Sequence, residues 1–107
     1  MRYWMVTWKA LPANAMALFP FMVFKDLQHK DNILLINHEK IHFRQQLELL
    51  IIPFYILYLI NYLVNLIRFR DHSKAYFNIC FEKEAYANDK NISYLRHRRL
   101  YSWIKFL

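Results

Sequence analysis

The sequence contains no glycine. Gly-rich phosphate loops need glycine where backbone N–H groups close on a phosphate, so Rossmann and P-loop nucleotide sites are excluded. Collagen-like repeats fall with them, and three prolines in so apolar a chain are too few for a disordered composition. Cysteine occurs once, as Cys80, so the fold owes nothing to an internal disulfide or an oxidising compartment. Acid is scarce as well: 8 Asp+Glu stand against 15 Lys+Arg, a formal charge of +7. That balance points to anionic partners, either nucleic acid or the anionic face of a membrane.

Apolar and aromatic residues are abundant, at 57% and 19%. The high hydrophobicity tilts the choice of partner towards the membrane. The length, 107 residues, suits one domain (1–107) with a modest core. An Ala-x-Ala pattern at Ala13–Ala15 resembles a signal-peptidase site, but Thr7 and Lys9 interrupt the apolar stretch before it. The segment therefore reads as mature protein, with no signal peptide.

The run Ala17 to Phe24 is aromatic and branched, and a polar stretch from Lys25 to Asn32 follows, which predicts a strand and a turn. Pro20 argues for a place at a sheet edge or strand start. Asp31 or Asn32 can cap a helix that opens at Ile33 and runs to about Ile52, where Pro53 breaks it. Further helices are expected over Phe54–Arg68, over Lys74–Asn88 with Ser73 as cap, and over the basic segment Ile92–Phe106. The expected class is mainly α with a small edge β-sheet.

The chemistry lies in Asn37-His-Glu-Lys-Ile-His-Phe-Arg-Gln-Gln46. His38 and His42 are four apart, so on a helix both imidazoles project from one face, a spacing that suits two nitrogens on one zinc ion. Glu39 is turned by about 100° from His38, poorly placed as a ligand but able to reach water beside the ion and act as general base. Gln45 falls on the same face, where it could hydrogen-bond a ligand or substrate. Two histidines and a glutamate also coincide by chance on helices, but here a later acidic helix can supply a further ligand.

His38-Glu-Lys-Ile-His42 with Gln45, followed by Phe81-Glu-Lys-Glu-Ala-Tyr86, resembles the gluzincin metallopeptidases. It is most similar to short bacterial HExxHxxQ proteins with a downstream Glu-x-Glu-Ala-Tyr segment. More distantly it resembles the CAAX-prenyl-protease-like, BlaR-type and ImmA/IrrE-type metallopeptidases. The resemblance implies a minimal zincin-like domain, zinc as cofactor, a peptide or protein substrate, and a third ligand from the later helix. It implies a bacterial cytoplasmic setting or the cytoplasmic membrane surface. Tyr86 follows Ala85 where the more distant families have an Asp or Asn that steadies a ligating histidine.

Two arguments bear on the third ligand. The resemblance favours Glu82, three residues before Ala85. Periodicity leans to Glu84, which falls near the middle of an apolar face drawn through Phe77, Cys80, Phe81, Ala85 and Ala87, with Glu82 at its margin. A metal cleft opens to solvent, so Glu82 is preferred. Glu84 is assigned a supporting bond to a ligating histidine, a buried Arg being the other partner it could take.

Leu47 to Ile67 is the most apolar stretch. Glu48, Pro53, Asn61 and Asn65 interrupt it, and the clean run Leu49 to Ile60 falls short of the about 20 residues of a bilayer span. A buried core hairpin is the default reading and a membrane-embedded or interfacial segment the rival. The basic, aromatic segment Leu95–Leu107 can dock on the domain, lie at an anionic lipid surface, or hold phosphates. No zinc-finger, RNP or homeodomain pattern is present, which makes nucleic acid the weakest partner. Cys80 reads as a small core residue, and His29, His72 and His97 as surface histidines. The leading function is zinc-dependent peptide-bond hydrolysis. The alternative is a small membrane-associated protein with a structural or catalytically inactive zinc site.

Overall fold

The computed structural model describes residues 3–107. It is mainly helical, with one small mixed sheet. Three short strands, β1 (Trp4–Thr7), β2 (Ala15–Leu18) and β3 (Phe21–Phe24), lie in the order β1-β3-β2. The single strand expected over Ala17–Phe24 is thus two antiparallel strands that turn at Phe19-Pro20, registered Ala15 to Phe24 and Leu18 to Phe21. β1, which the sequence did not reveal, pairs parallel with β3. Pro20 therefore sits in a turn, where its missing N–H costs no ladder bond, and β3 is the central strand and not an edge.

Met22, Phe24, Ala17 and Phe43 form one buried cluster between the sheet and helix α1 (Ile33–Glu48). Asn32 caps α1 through its side chain, which accepts from Leu35 N at 3.2 Å. The helix stops short of Ile52. Leu50 and Ile51 take positive φ (60° and 69°) and reverse the chain, a backbone geometry that a glycine-free sequence must impose on other residues. Pro53 lies in the first turn of α2 (Ile52–Phe69), so it opens the second helix and does not end the first.

The expected third helix is two. Asp71, and not Ser73, caps α3 (His72–Phe77) by accepting from Lys74 N. Asn78 then takes the Lys74 carbonyl with its side chain and Ile79 is extended, so α4 (Cys80–Asn88) starts afresh. Its first amide, Cys80 N, donates to Asn61 Oδ1 of α2 at 2.9 Å. The C-terminal segment is not one helix either. Arg98, extended, ends a short α5 (Tyr94–His97), and a 3-10 turn over Ser102–Phe106 docks Trp103 and Phe106 on a second cluster of Phe54, Ile79, Cys80 and Phe81. Cys80 is buried, and burial pushes its thiol up to about 11.

The default reading of Leu47–Ile67 as buried core is overturned. Of α2 only Phe54 and Asn65 are buried. Phe77 and Ala87, placed on the apolar face of the later helix, are exposed, whereas Glu82 and Glu84 are both buried.

Candidate metal centre

α1 crosses between the two apolar clusters, and most of what it buries is polar: Asn37, His38, Glu39, His42, Gln45 and Gln46, beside Ile41 and Phe43. Buried polar groups cost free energy unless they are hydrogen-bonded, so their partners define the site. His38 and His42 meet Glu82 of α4. The three offer ligand atoms that lie within 4.8 Å of one another and could hold a metal ion. His38 Nε2 and His42 Nε2 are 3.2 Å apart, and each is 3.1 Å from Glu82 Oε1. Glu84 does not join them.

The tautomers follow from the neighbours. Gln45 Nε2 donates to the Phe81 carbonyl and to Glu84 Oε1, both at 3.0 Å, so its Oε1 must face His42 Nδ1 at 2.7 Å and accept from it. Asp89 Oδ2, also an acceptor, lies 3.0 Å from His38 Nδ1. With both Nδ1 atoms donating, both Nε2 atoms present lone pairs, and they present them to a carboxylate oxygen. Three acceptors thus converge with no donor among them, a donor set that fits a divalent cation with a preference for nitrogen and oxygen ligands.

A proton answers the same need. Burial works to lower the pKa of His42, but the charge and hydrogen bond of Glu82, with help from Glu39 and Gln45, outweigh it and lift His42 to about 9. Burial works to raise Glu82, and the two histidines outweigh it, holding the carboxyl well below the usual carboxylate range. The second oxygen of Glu82 accepts from Tyr58 OH of α2 at 2.5 Å. The His38 ring also packs edge-on against Tyr86, with centroids 4.4 Å apart.

Glu39 is buried beside this cluster. Burial raises its pKa, against the opposing charges of His42 and His38 and a hydrogen bond from the Ala17 backbone. His38, Glu39, His42 and Glu82 all line one cavity of about 290 Å³, whose remaining wall is largely apolar, with Phe54 of α2 and Ala15, Met16 and Leu18 of β2. Gln45 is turned away from it, its amide held by His42, Phe81 and Glu84. β3 is paired on both sides, so the strand edge at the cavity belongs to β2. Part of that edge is taken. Gln46 donates to the Ala17 carbonyl (2.7 Å) and accepts from Phe19 N (2.9 Å), as a neighbouring strand would.

Glu84 forms its own assembly. Its oxygens accept from Arg98 Nε (2.5 Å) and NH2 (3.0 Å), from Tyr94 OH (2.6 Å) and from Gln45, and Arg98 also reaches Glu48. Burial works to raise Glu84, but these donors, Arg98 foremost, hold it below its ordinary value. It therefore touches neither histidine and acts on His42 only through Gln45.

Four contacts were not found from the sequence. Asp89 supplies an acid on His38 Nδ1. It lies two helical turns beyond Glu82, so extending that face of the helix would have reached it. Asn37, which donates to the backbone carbonyls of Asp89 and Asn91, ties this end of α4 to α1. Tyr58 had a signal too, since Tyr58, Asn61, Tyr62 and Asn65 form a polar stripe at helical spacing within the apolar run. Gln46 had none. Compared with known proteins, the chain matches no protein-family model, no curated protein and no solved structure.

Proposed function

We propose that this protein is a zinc-dependent hydrolase of peptide bonds, with His38, His42 and Glu82 holding the ion and Glu39 as general base. The observation that carries the reading is the convergence of three lone-pair atoms on the wall of a cavity that Glu39 also lines. Zinc, when bound, polarises a carbonyl oxygen and makes water a stronger acid. The chain's own residues do the rest. Asp89 and Gln45 hold the imidazoles in the Nδ1–H form, and Tyr58 fixes the free oxygen of Glu82. Burial makes Glu39 a stronger base than a solvated carboxylate.

The cavity favours an extended, partly apolar peptide. Phe54, Met16 and Leu18 exclude water, and the edge of β2 offers backbone pairing. Gln46 covers that edge at Ala17 and Phe19, and by the two-residue alternation of a strand Ala15 turns its backbone groups the same way. A substrate would therefore pair towards Ala15.

The competing reading is a structural or catalytically inactive zinc site in a small membrane-associated protein, favoured by the way the cluster ties α1 to α4. One experiment separates them. Zinc-loaded protein is incubated with a quenched-fluorescent peptide library, beside Glu39→Gln. Hydrolysis by the wild type, with Glu39→Gln retaining about one zinc per chain but losing activity roughly 10²–10⁴-fold, supports the hydrolase. An intact library, together with a cobalt-substituted spectrum of a site closed by four protein ligands, assigns the structural role.

A further inference from the structure

α2 is inverted. Placed at about 100° per residue, Ile52, Ile56, Leu59, Ile60, Leu63, Val64, Leu66 and Ile67 fill an unbroken half of the helix circumference together with Pro53 and Leu57. Solvent reaches much of that half: Ile52 is 68% exposed, Ile67 78%, and Ile56, Leu59, Ile60 and Val64 all more than half. The opposite half carries the polar groups, and these face the protein. Tyr58 bonds Glu82, Asn61 caps Cys80 N, Tyr62 meets His72 Nδ1 at 2.9 Å, and Asn65 donates to the Ala75 carbonyl at 3.1 Å. A surface helix in water shows the reverse arrangement.

We propose that α2 is a membrane-docking keel, lying in the plane of an anionic bilayer with its aliphatic half among the acyl chains. The occupant follows from width, chemistry and charge. An apolar face half a circumference wide is broader than the narrow seam a helix pair uses, and it is aliphatic throughout, as hydrocarbon requires. Lipid covers such a face along its whole length, about 27 Å for 18 residues. One margin carries an exposed group suited to the headgroup layer, Arg68. Past the C-terminus of the helix, Arg70 and Lys74 stand with Arg68, against one acid, Asp71, in that stretch. The helix lies in the plane and does not cross, because its inner half is committed to hydrogen bonds with the rest of the chain. This inference does not depend on zinc or on hydrolysis.

Flotation of the purified full chain with vesicles of phosphatidylcholine, with and without phosphatidylglycerol, tests it. The chain is expected to float with the anionic vesicles and more weakly with the neutral ones. The triple variant Ile56→Gln/Ile60→Gln/Leu63→Gln, its helix content checked by circular dichroism, should lose about a thousandfold or more in partitioning, each buried aliphatic side chain contributing roughly ten- to a hundredfold. A second variant, Arg68→Gln/Lys74→Gln, should bind anionic vesicles roughly fivefold more weakly per charge removed and bind neutral ones unchanged. Wild-type protein that stays unbound to both kinds of vesicle overturns the proposal. So does a folded triple variant that floats like the wild type. A dimer in sedimentation equilibrium that the triple variant dissolves, with no flotation of either, assigns the face to a second copy of the chain and overturns it equally.

Discussion

α1 and α2 are consecutive helices of similar length, and each breaks the usual rule of burial in the opposite direction. α1 buries two histidines, a glutamate, an asparagine and two glutamines, whereas α2 turns most of its Ile, Leu and Val residues outward. Neither follows from hydrophobicity. Buried polar groups persist only where each finds a partner, and a broad exposed apolar face persists only where something covers it. The two departures touch at Tyr58 and Glu82, where the inner side of α2 bonds the cluster built on α1 and α4. The chain thus directs its polar groups to one centre and leaves its aliphatic surface for another environment.

The largest test breaks the α1 side. His42→Ala or His38→Ala should leave no tightly bound zinc, where the wild type takes about one per chain in a metal assay. Chelation should lower the wild type's unfolding free energy by about 4 kcal/mol if the free metal had stood a thousandfold above its dissociation constant, and should leave His42→Ala unmoved. A wild type that melts identically with and without zinc removes the metal reading altogether.

What was legible in the sequence divides along the same line. His38 and His42 could be brought together because their geometry is local to one helix. The periodicity of the second helix points instead to Glu84, and only the resemblance and the preference for a ligand beside an open cleft lead to Glu82. Gln46 was missed because it acts across the fold, on Ala17 29 residues away, and Asp89 because it stands at the far end of α4, beyond the Glu82–Tyr86 segment that carries the resemblance. Mainly α with a small sheet was legible from periodicity, but the split between α3 and α4 was not, since Asn61 of another helix caps the new start. The exposed half of α2 looked like core because an apolar residue's composition does not say which way it faces.

The next effect concerns the support beneath the centre. Glu84→Ala leaves Arg98 with Glu48 as its remaining acid in a buried setting, and should cost about 3 kcal/mol in urea unfolding of the chelated protein. Zinc affinity should fall about 10–100-fold, because Gln45 loses the acceptor that fixes its amide against His42. The pH dependence has a definite sign. Glu84 is held below its ordinary value, so its contribution is complete above the unfolded carboxylate pKa and is lost as pH falls through the depressed one. The gap between wild type and variant should therefore close in acid. A gap that widens instead would mean that Glu84 is not ionised in the folded chain.

The smallest effects sharpen the α2 side, and they run against both hydrophobicity and helix propensity. Asn65→Leu places an apolar, strong helix former at a buried position, yet it should destabilise by about 1–3 kcal/mol. The side chain that satisfies the carbonyl of buried Ala75 is gone, and leucine supplies no donor. Ile60→Gln places a polar group on the helix of highest apolar content, yet it should change stability in detergent-free buffer by no more than about 0.5 kcal/mol. Ile60 is 51% exposed, and glutamine is the slightly better helix former. Urea unfolding of the two variants side by side decides the matter. If Ile60→Gln cost more than Asn65→Leu, the aliphatic half would be packed in solution, and the contrast between the two helices would collapse to that of an ordinary core.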